Sequence, residues 1–576
     1  MKNYLRHAKK YWHCFLLGPV FMILEATGEI ILPYINANII NEGVIREDVN
    51  YILKNGIYMA VIALFMLITG ILGANFAIRG SARLAADIRK DVFCRIQKFS
   101  FANIDEFTTG SLITRITNDI THIQHFSQTL LRGMFRSPMM LIGAFVMSFV
   151  LEPKLALVIF AIAPFLAIAI TIIIKTASPR YTKMQVAIDG LNNGVGETIT
   201  NQKVIKSFVR EEYEIGKFAT INDELVEKSV SALKVMLFMH PVSTLAINAT
   251  TLLVIWFSGK PIMIGEMEIG TLTAFITYLS QILMSLNFMA NIVLQGARAA
   301  ASHRRIQEVM YAKIDLNDEF AGQKEKEVEY GDIQFKGVNF RYYKNNTDNV
   351  LQNIDLHIKA GELVGIIGST GSGKTTLVSL IPRLYDVDGG EVLVDGVNVK
   401  EYSLDHLREN IAVVLQKNTL FSGTVAENLR WGKEDATDEE LIRVAQIAQA
   451  EEFIRTFPNG YDTDIGRGGS NLSGGQRQRM CIARALLKKP KIIILDDSTS
   501  AVDTATDASI RKAFREQLSG TTKLIIAQRI TSVIDADKIV VMDEGKIVGV
   551  GTHEDLIDTC ETYREIYCSQ KEQKEV

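Results

Sequence analysis

Cysteine is sparse in this chain, and no two cysteines have the spacing of a metal or redox motif. The five cysteines among 576 residues are scattered, with no C-x-x-C pair. This usage is typical of a reducing compartment and indicates neither a disulfide framework nor a cysteine metal site. An excess of one charge is also missing. The 62 Lys and Arg residues face 65 Asp and Glu residues, a net charge of −3, so bulk charge does not indicate nucleic-acid binding.

The length and the distribution of apolar residues indicate more than one domain. A chain of 576 residues is too long for a single domain. The mean hydropathy of +0.13 averages two unlike halves. Long apolar runs are confined to residues 12–300, whereas residues 320–576 have the composition of a soluble α/β protein.

The amino-terminal half contains six apolar segments, each close to the roughly 20 residues that a bilayer-spanning helix needs. The fourth segment, LALVIFAIAPFLAIAITIII, is almost purely apolar. The predicted spans are about 14–40, 56–78, 131–151, 155–174, 236–258 and 269–294.

The first apolar run is not predicted to be a signal peptide. Glu25 and Glu29 interrupt it, no small-residue cleavage site follows cleanly, and five more spans come after it. Residues 1–11 are predicted to form a short amphipathic helix on the inner membrane surface.

Loop charges predict the orientation of the spans. The short segments 42–51, 152–154 and 259–268 hold few basic residues, whereas the long segments 79–130 and 175–235 hold many. Because positive residues mark the cytoplasmic side, both termini are predicted in the cytoplasm. The long segments have helical periodicity and few breakers, so they are predicted to continue the membrane helices as two cytoplasmic hairpins.

Glu25 and Glu29 are unusual residues for a membrane span. They lie four residues apart and therefore on one helix face. Ionisable groups in spans usually face a bundle interior or a water-filled cavity, so one interpretation is a substrate cavity that favours cations. The other interpretation is pairing with a polar group on a neighbouring helix, or exposure near the outer interface.

The carboxy-terminal half begins after a polar stretch that contains AGQKEKEVEYGD. Short β-rich runs then alternate with turns and helical patterns, as in an α/β nucleotide-binding domain. The predicted organisation is an all-α six-helix transmembrane domain at 1–310, a linker at 311–328 and an α/β P-loop domain at 329–576.

A phosphate-binding loop is predicted where an apolar strand meets a helical pattern. The match to G-x-x-x-x-G-K-[ST] allows backbone N–H groups to face phosphate oxygens, the lysine to reach the β and γ phosphates, and the threonine hydroxyl to ligate Mg²⁺. The predicted loop residues are Gly368, Ser369, Thr370, Gly371, Ser372, Gly373, Lys374, Thr375 and Thr376.

Two further motifs follow the loop in the chain. KIIILDD predicts a strand buried on both faces that ends in Asp496, a second candidate ligand for Mg²⁺. NLSGGQRQR, residues 471–479, offers a serine hydroxyl and two glycines before a helical pattern.

This second stretch resembles the signature motif of ATP-binding-cassette (ABC) proteins. The motif order agrees, from an aromatic residue through the phosphate loop and a glutamine to the signature and SAVD. FTTGSLITRITNDITHI and GETITNQKVIKSFVREEYEIGKF resemble the cytoplasmic hairpins of the same family. With the six spans, the resemblance covers nearly the whole chain and is to a half-transporter of the multidrug ABC exporter family.

The resemblance implies roles at matching positions. Tyr342 would stack on adenine, Gln416 would contact the γ-phosphate and Mg²⁺, and Asp503 would lie at the dimer interface. The signature would contact ATP held by a partner chain, because two ATP molecules are shared between two facing domains in this family. The signature residues are Leu472, Ser473, Gly474, Gly475 and Gln476.

Two positions of the expected ATP site depart from the family pattern. Asp497 stands where hydrolysing members have glutamate, and Gln528 stands where they have histidine. The aspartate is one methylene shorter, about 1.5 Å, and such a displacement of a general base costs about a hundredfold in rate. Glutamine carries no titratable proton. Together the two changes predict a degenerate site that binds ATP but hydrolyses it weakly or not at all.

Two other segments are interpreted differently. Arg467 replaces the usual glutamate of a loop that contacts the partner's coupling helix, which indicates an altered interface or simply a solvated arginine. GTHEDLI is not predicted to be a zinc site, because Ile557 stands where a metalloprotease needs its second histidine.

The predicted function is that of one subunit of a bacterial heterodimeric exporter in the cytoplasmic membrane. It would use ATP and Mg²⁺, move drugs, lipids or other hydrophobic or amphipathic compounds outward by alternating access, and lend its intact signature to the partner's hydrolytic site. The alternatives are a slow homodimeric ATPase exporter and an ATP-gated channel or regulatory subunit. A dedicated peptide or lipid exporter is a further possibility within transporters.

Overall fold

The structure is a computed structural model that describes residues 2–316, 326–342, 349–497 and 502–575. The chain divides into two units. The first comprises Met1–Gln97 and Gly110–Tyr311, and the second comprises Lys98–Thr109 and Ala312–Val576. Half of the predicted linker, residues 317–325, lies outside the described residues.

The first unit is helical. Its helices are α1 (Lys2–Lys10), α2 (Trp12–Asn38), α3 (Val49–Ile96), α5 (Thr109–Thr114), α6 (Ile120–Gly133), α7 (Arg136–Leu151), α8 (Pro153–Thr200), α9 (Gln202–Ser207), α10 (Glu211–Leu237), α11 (Met239–Met263) and α12 (Ile269–Tyr311). Short π-helical segments at Ile39–Val44 and Arg115–Asp119 extend α2 and connect α5 to α6.

Three helices of this unit are much longer than a bilayer is thick. Helices α3 and α8 have 48 residues each, and α12 has 43. At 1.5 Å per residue such helices run for about 65–72 Å, more than twice the roughly 30 Å hydrocarbon core. The predicted continuation of the spans beyond the membrane therefore agrees with the observed helix lengths.

Five helical segments of the described chain are long and apolar enough to cross a membrane. They are Trp12–Val44, Val49–Ile96, Thr109–Leu151, Thr244–Met263 and Ile269–Tyr311. The fourth predicted span, 155–174, lies in α8, where part of the side chains fall outside the described residues. Along α3, large apolar side chains such as Val61, Leu64 and Ile71 are exposed, as expected for a surface that faces lipid.

Helix α12 packs against α2 through apolar and polar contacts. Phe275, Tyr278 and Leu279 are fully or almost fully buried. The Tyr278 hydroxyl donates to the Ile30 carbonyl at 2.7 Å, and the Gln281 side chain donates to the Glu29 carbonyl at 3.1 Å. Such bonds satisfy polar groups that would be costly in an apolar bundle.

The predicted amino-terminal amphipathic helix corresponds to α1. His7 Nε2 lies 2.7 Å from a carboxylate oxygen of Asp91, and the hydroxyl of Tyr11 donates to Asp87 at 3.1 Å. These contacts tie the start of the chain to α3. Its position on a membrane surface stays a prediction.

The second unit is an α/β domain that also includes α4 (Phe101–Phe107). Its strands are β1 (Ile333–Phe340), β2 (Leu351–Ile358), β3 (Leu363–Gly368), β4 (Gly389–Val394), β5 (Val397–Asn398), β6 (Ile411–Val414), β7 (Gly423–Thr424), β8 (Asp464–Ile465), β9 (Ile492–Asp496), β10 (Thr522–Ile526), β11 (Lys538–Asp543) and β12 (Lys546–Gly551). Its other helices are α13 (Lys374–Ser379), α14 (Leu404–Glu409), α15 (Val425–Arg430), α16 (Asp438–Ile447), α17 (Glu451–Arg455), α18 (Gly474–Leu487), α19 (Thr504–Gln517), α20 (His553–Thr559) and α21 (Glu561–Glu575).

Strands β3, β9 and β10 lie side by side within a six-stranded sheet of order β12-β11-β3-β10-β9-β6. All its pairings are parallel except β11 with β12. Ile492 and Ile494 of β9 belong to one hydrophobic cluster, whereas Ile493 and Leu495 belong to another. The prediction that this strand is covered on both faces is confirmed. An antiparallel sheet of order β2-β1-β4-β5 and the short β7-β8 pair complete the unit.

Candidate functional site

The phosphate loop lies at the carboxyl end of β3 and leads into α13. Its first glycine, Gly368, has φ +154°, and a Cβ there would lie 2.0 Å from the carbonyl oxygen of Met542. Gly373 has φ +94°, in the left-handed region, immediately before α13. Only glycine suits both positions, so the two motif glycines have a direct steric reason.

The motif lysine is held against its own loop. The Lys374 ammonium donates to the carbonyls of Gly368 and Ser369 at 2.9 and 2.6 Å, and it lies 3.3 Å from the Ser372 hydroxyl. Burial lowers the pKa of Lys374, and the charges of Asp496 and Asp497 partly oppose that effect. The loop therefore holds a partly desolvated cation, which favours a phosphate ligand.

Thr375 and Asp496 form the oxygen-rich part of the site. The Thr375 hydroxyl donates to a carboxylate oxygen of Asp496 at 3.0 Å, although the two residues are 121 positions apart. Burial raises the pKa of Asp496. Carboxylate and hydroxyl oxygens are the ligands that Mg²⁺ prefers, so this pair fits the ion.

Asp497 lies between two glutamine side chains. One of its carboxylate oxygens accepts from Gln528 Nε2 at 2.8 Å and from Gln416 Nε2 at 3.4 Å. Burial raises the pKa of Asp497, and these two amide donors oppose the increase. The three predicted residues of the degenerate site are thus brought into one hydrogen-bonded group.

The segment that carries Gln528 is fastened to the last helix, which sequence reasoning missed. Gln570 of α21 donates through Nε2 to the Gln528 carbonyl at 2.7 Å and accepts from the Ile530 N–H at 2.9 Å. This paired amide fixes the backbone that presents Gln528. A glutamine near the end of a polar helix gives no sequence signal for such a role.

The signature motif forms the start of α18. Ser473 caps the helix: its hydroxyl accepts from the Gln476 N–H at 3.2 Å, and the Gln476 side chain accepts from the Ser473 N–H at 2.9 Å. Within the described chain, no hydrogen bond joins residues 472–476 to the phosphate loop. Gln478, one turn further, donates to the Asp497 carbonyl at 3.4 Å.

Tyr342 lies beside an aromatic neighbour that the sequence did not indicate. Its hydroxyl and that of Thr376 are 2.8 Å apart, and its ring meets Tyr385 edge-on with centroids 5.1 Å apart. Tyr385 in turn contacts the ring of Phe101 in α4 and donates to Asp105 at 3.4 Å. Tyr342, the residue expected to stack on adenine, is therefore linked to α4 through Tyr385.

Asp503 and Arg467 occupy exposed positions of the second unit. Asp503 caps α19, accepting from the backbone and side chain of Thr506 at 2.9 and 2.8 Å. The backbone bond from Thr506 contributes most to the lowered pKa of Asp503.

Glu25 and Glu29 of the first unit both face Arg136. Arg136 Nη2 lies 2.6 Å from Glu29, and its Nε lies 3.9 Å from Glu25. Glu25 also lines a cavity of about 860 Å³ that α2, α6, α7 and α12 surround. Sequence reasoning missed Arg136, although Arg132 and Arg136 share the four-residue spacing of the two glutamates.

A phosphate loop with an adjacent acidic strand end, in a chain that also forms an apolar helical bundle, defines a membrane protein driven by a nucleotide. Comparison with protein families gives the same class. Residues 15–286 match the ABC transporter transmembrane region, and residues 351–500 match the ABC transporter domain.

Curated relatives resemble the chain over its whole length. The chain is 35% identical to the uncharacterized ABC transporter ATP-binding protein YfiB of Bacillus subtilis, over 99% of this chain and 98% of the relative. It is 31% identical to the putative multidrug export ATP-binding/permease protein YgaD of the same organism, over 99% of both. An ATP-dependent lipid A-core flippase of Desulfotalea psychrophila is 33% identical over 89% of both chains.

A solved structure has the same fold. The structure of a bacterial Atm1-family ABC exporter with ATP bound superposes with a TM-score of 0.81, covering 96% of this chain and 98% of the other at 23% identity. The chain belongs to the ABC transporter family and is an exporter half-transporter with a transmembrane domain fused to a nucleotide-binding domain. The predicted fold class is confirmed.

Proposed function

We propose that this chain is the degenerate-site subunit of a heterodimeric ABC exporter in a bacterial cytoplasmic membrane, with both termini in the cytoplasm. The observation that carries the proposal is the group formed by Asp497, Gln416 and Gln528. The carboxylate is bridged by amides at 2.8 and 3.4 Å, and it stands on an arm one methylene shorter than glutamate.

ATP would bind with its adenine at Tyr342 and its phosphates at residues 368–376. Thr375, Asp496 and Gln416 would hold Mg²⁺, which neutralises phosphate charge when bound. Asp497 is poorly suited to act as a general base, because its reach is short and one of its oxygens already accepts from two amides. Gln528 accepts and donates hydrogen bonds but takes up no proton. ATP at this site would hold the two nucleotide-binding domains together without rapid turnover.

The signature supports hydrolysis on the other side of the dimer. Ser473 and the exposed start of α18 offer a hydroxyl and N–H groups toward a ligand held by a partner chain. A partner with glutamate and histidine at the matching positions would make that second site competent. The pair would export hydrophobic or amphipathic compounds, as the names of the multidrug and flippase relatives suggest.

A transport assay on the purified dimer in sealed vesicles tests this proposal. We expect ATP-dependent accumulation of a hydrophobic dye against its gradient, and slow ATPase activity from this chain alone. Dye movement only down its gradient would favour the ATP-gated channel instead. Rapid hydrolysis by this chain alone would favour the homodimer.

A further inference from the structure

The cavity of the first unit differs in charge from what the two glutamates suggest. Three arginines line it, Arg132, Arg136 and Arg298, against the single glutamate Glu25. His122, His125, Gln128, Thr129, Asn291 and Gln295 add further polar groups to the lining.

The two glutamates are partly compensated by one arginine. Arg136 lies between Glu25 and Glu29, at 3.9 and 2.6 Å, and the three side chains are each about one-quarter to one-third exposed. The single guanidinium offsets one of the two carboxylate charges, and Arg132 and Arg298 of the same cavity outweigh the other. A cationic substrate would therefore have to compete with Arg136 for its partners.

Arg132 and Arg298 are in the opposite situation. Both side chains are exposed and line the cavity. Among the described residues, no carboxylate lies within ion-pair distance of either one. Arg132 lies at the start of one predicted span and Arg298 beyond the end of another, so both lie near the cytoplasmic ends of their spans. A guanidinium that faces an open cavity there binds carboxylate or phosphate through paired hydrogen bonds.

The cavity also has an apolar side and sufficient size. Met22 and Phe288 contribute apolar surface, and about 860 Å³ lies in the upper range of cavities that hold drug-sized ligands. The Phe288 ring packs closely on α6 at Gly133, where a Cβ would lie only 2.1 Å from the ring. Thr129 donates to Gln295 at 3.0 Å, which joins α6 and α12 on the polar side.

We propose that this cavity binds amphipathic anions, in which a carboxylate or phosphate group meets Arg132 and Arg298 and an apolar body packs on Met22 and Phe288. This inference rests on the proposed export function and gives its substrate class. It replaces the preference for cations that Glu25 and Glu29 suggested, because Arg136 contacts both and the three arginines of the cavity outnumber the two glutamates.

Four probes with one hydrocarbon chain and different head groups test the charge preference. Binding of oleate, oleyl phosphate, oleylamine and oleyl alcohol is measured on the full-length dimer in phosphatidylcholine nanodiscs. We expect oleate and oleyl phosphate to bind about tenfold or more tightly than the other two, the effect of one or two charge-assisted hydrogen bonds. Equal binding of all four, or preference for oleylamine, would overturn the proposal.

Variants of the two unpaired arginines locate the effect. Arg132→Gln with Arg298→Gln is expected to abolish the anion preference while oleyl alcohol binding stays unchanged, which also shows that the bundle has folded. Arg298→Lys keeps the charge and should retain part of the preference. Arg180→Gln, a half-buried arginine of α8 outside the cavity, is the control and should change nothing. An anion preference that survives the double substitution would contradict the assignment.

Two further measurements separate the possible failures. Inorganic phosphate and acetate should compete weakly with oleyl phosphate. Strong competition would show a site for free anions and overturn the amphipathic part. Uphill ATP-driven transport of oleylamine but not oleate would leave the exporter standing and reject the anion site. Selective oleate binding without uphill transport would leave the anion site standing and reject the exporter function.

Discussion

Gln528 donates a hydrogen bond of 2.8 Å to Asp497, across 31 positions of the chain. The two residues that depart from the family pattern are therefore direct partners. In the proposed function, the two residues weaken hydrolysis together as one hydrogen-bonded group. The Asp497 side chain is shorter than a glutamate, and the Gln528 side chain is long enough to donate to its carboxylate.

Restoring both residues should restore hydrolysis at this site. In a Ser473→Ala background, which silences the partner's site, Asp497→Glu with Gln528→His should raise residual ATPase activity about tenfold or more, because the base regains its reach and a titratable partner. Steady-state ATP hydrolysis by the dimer measures the effect. The control is Gln528→His alone, which leaves the carboxylate short and should give a much smaller gain. No gain from the paired change would show that hydrolysis is limited elsewhere.

ATP binding should begin to weaken at a lower pH than the pKa of an ordinary lysine predicts. In the folded protein, burial lowers the pKa of Lys374 below its ordinary value of 10.5. The charged ammonium, which attracts the phosphates, is present below the folded pKa and is lost as pH rises through it. A fluorescent ATP analogue titrated from neutral to alkaline pH measures this loss. Lys374→Arg should remove the pH dependence, and constant affinity of the unsubstituted protein beyond pH 10.5 would contradict the account.

Tyr385 should affect communication between α4 and the nucleotide more than nucleotide affinity. Its ring lies 6.1 Å from Phe101 and 5.1 Å from Tyr342, centroid to centroid. Aromatic pairs contribute about 0.5–1.5 kcal/mol each, so Tyr385→Leu should reduce substrate stimulation of ATPase activity by about twofold to tenfold. Tyr385→Phe keeps the ring contacts and loses only the hydroxyl bond to Asp105, so it should retain most of the stimulation. Equal losses in both variants would assign the effect to the hydroxyl.

Helix packing at Gly133 should be sensitive to one added methyl group. A Cβ there would lie 2.1 Å from the Phe288 ring, so Gly133→Ala should destabilise the bundle by about 1–3 kcal/mol. Thermal unfolding in detergent measures the change. Adding Phe288→Leu should recover part of the loss. Gly190→Ala in α8 is the matched control, because a Cβ there meets nothing within 4 Å, and it should not lower the midpoint.

The sequence predicted those features that depend on local pattern. The phosphate loop needs glycine at 368 and 373 for steric reasons, and β9 alternates between two apolar clusters, so both are readable from spacing alone. The serine hydroxyl at the start of a helical pattern was also predicted, and the structure adds the capping box of Ser473 and Gln476.

Features that depend on distant residues were not predictable. Arg136 compensates Glu29 across 107 positions, and this pairing changes the expected charge preference of the cavity. Gln570 reaches Gln528 across 42 positions, and Tyr385 reaches Asp105 across 280. No spacing rule relates such partners, because the fold alone brings them together.

The most direct test of the asymmetric dimer compares two single substitutions by ATPase rate. Asp497→Asn should leave the rate of the assembled dimer almost unchanged, because this site contributes little hydrolysis. Ser473→Ala should lower it about a hundredfold, the usual cost of removing one donor that stabilises transition-state charge. Ser403→Ala, which removes a comparable helix cap at α14, controls for lost capping and should have little effect. A large loss from Asp497→Asn together with a small loss from Ser473→Ala would contradict the account.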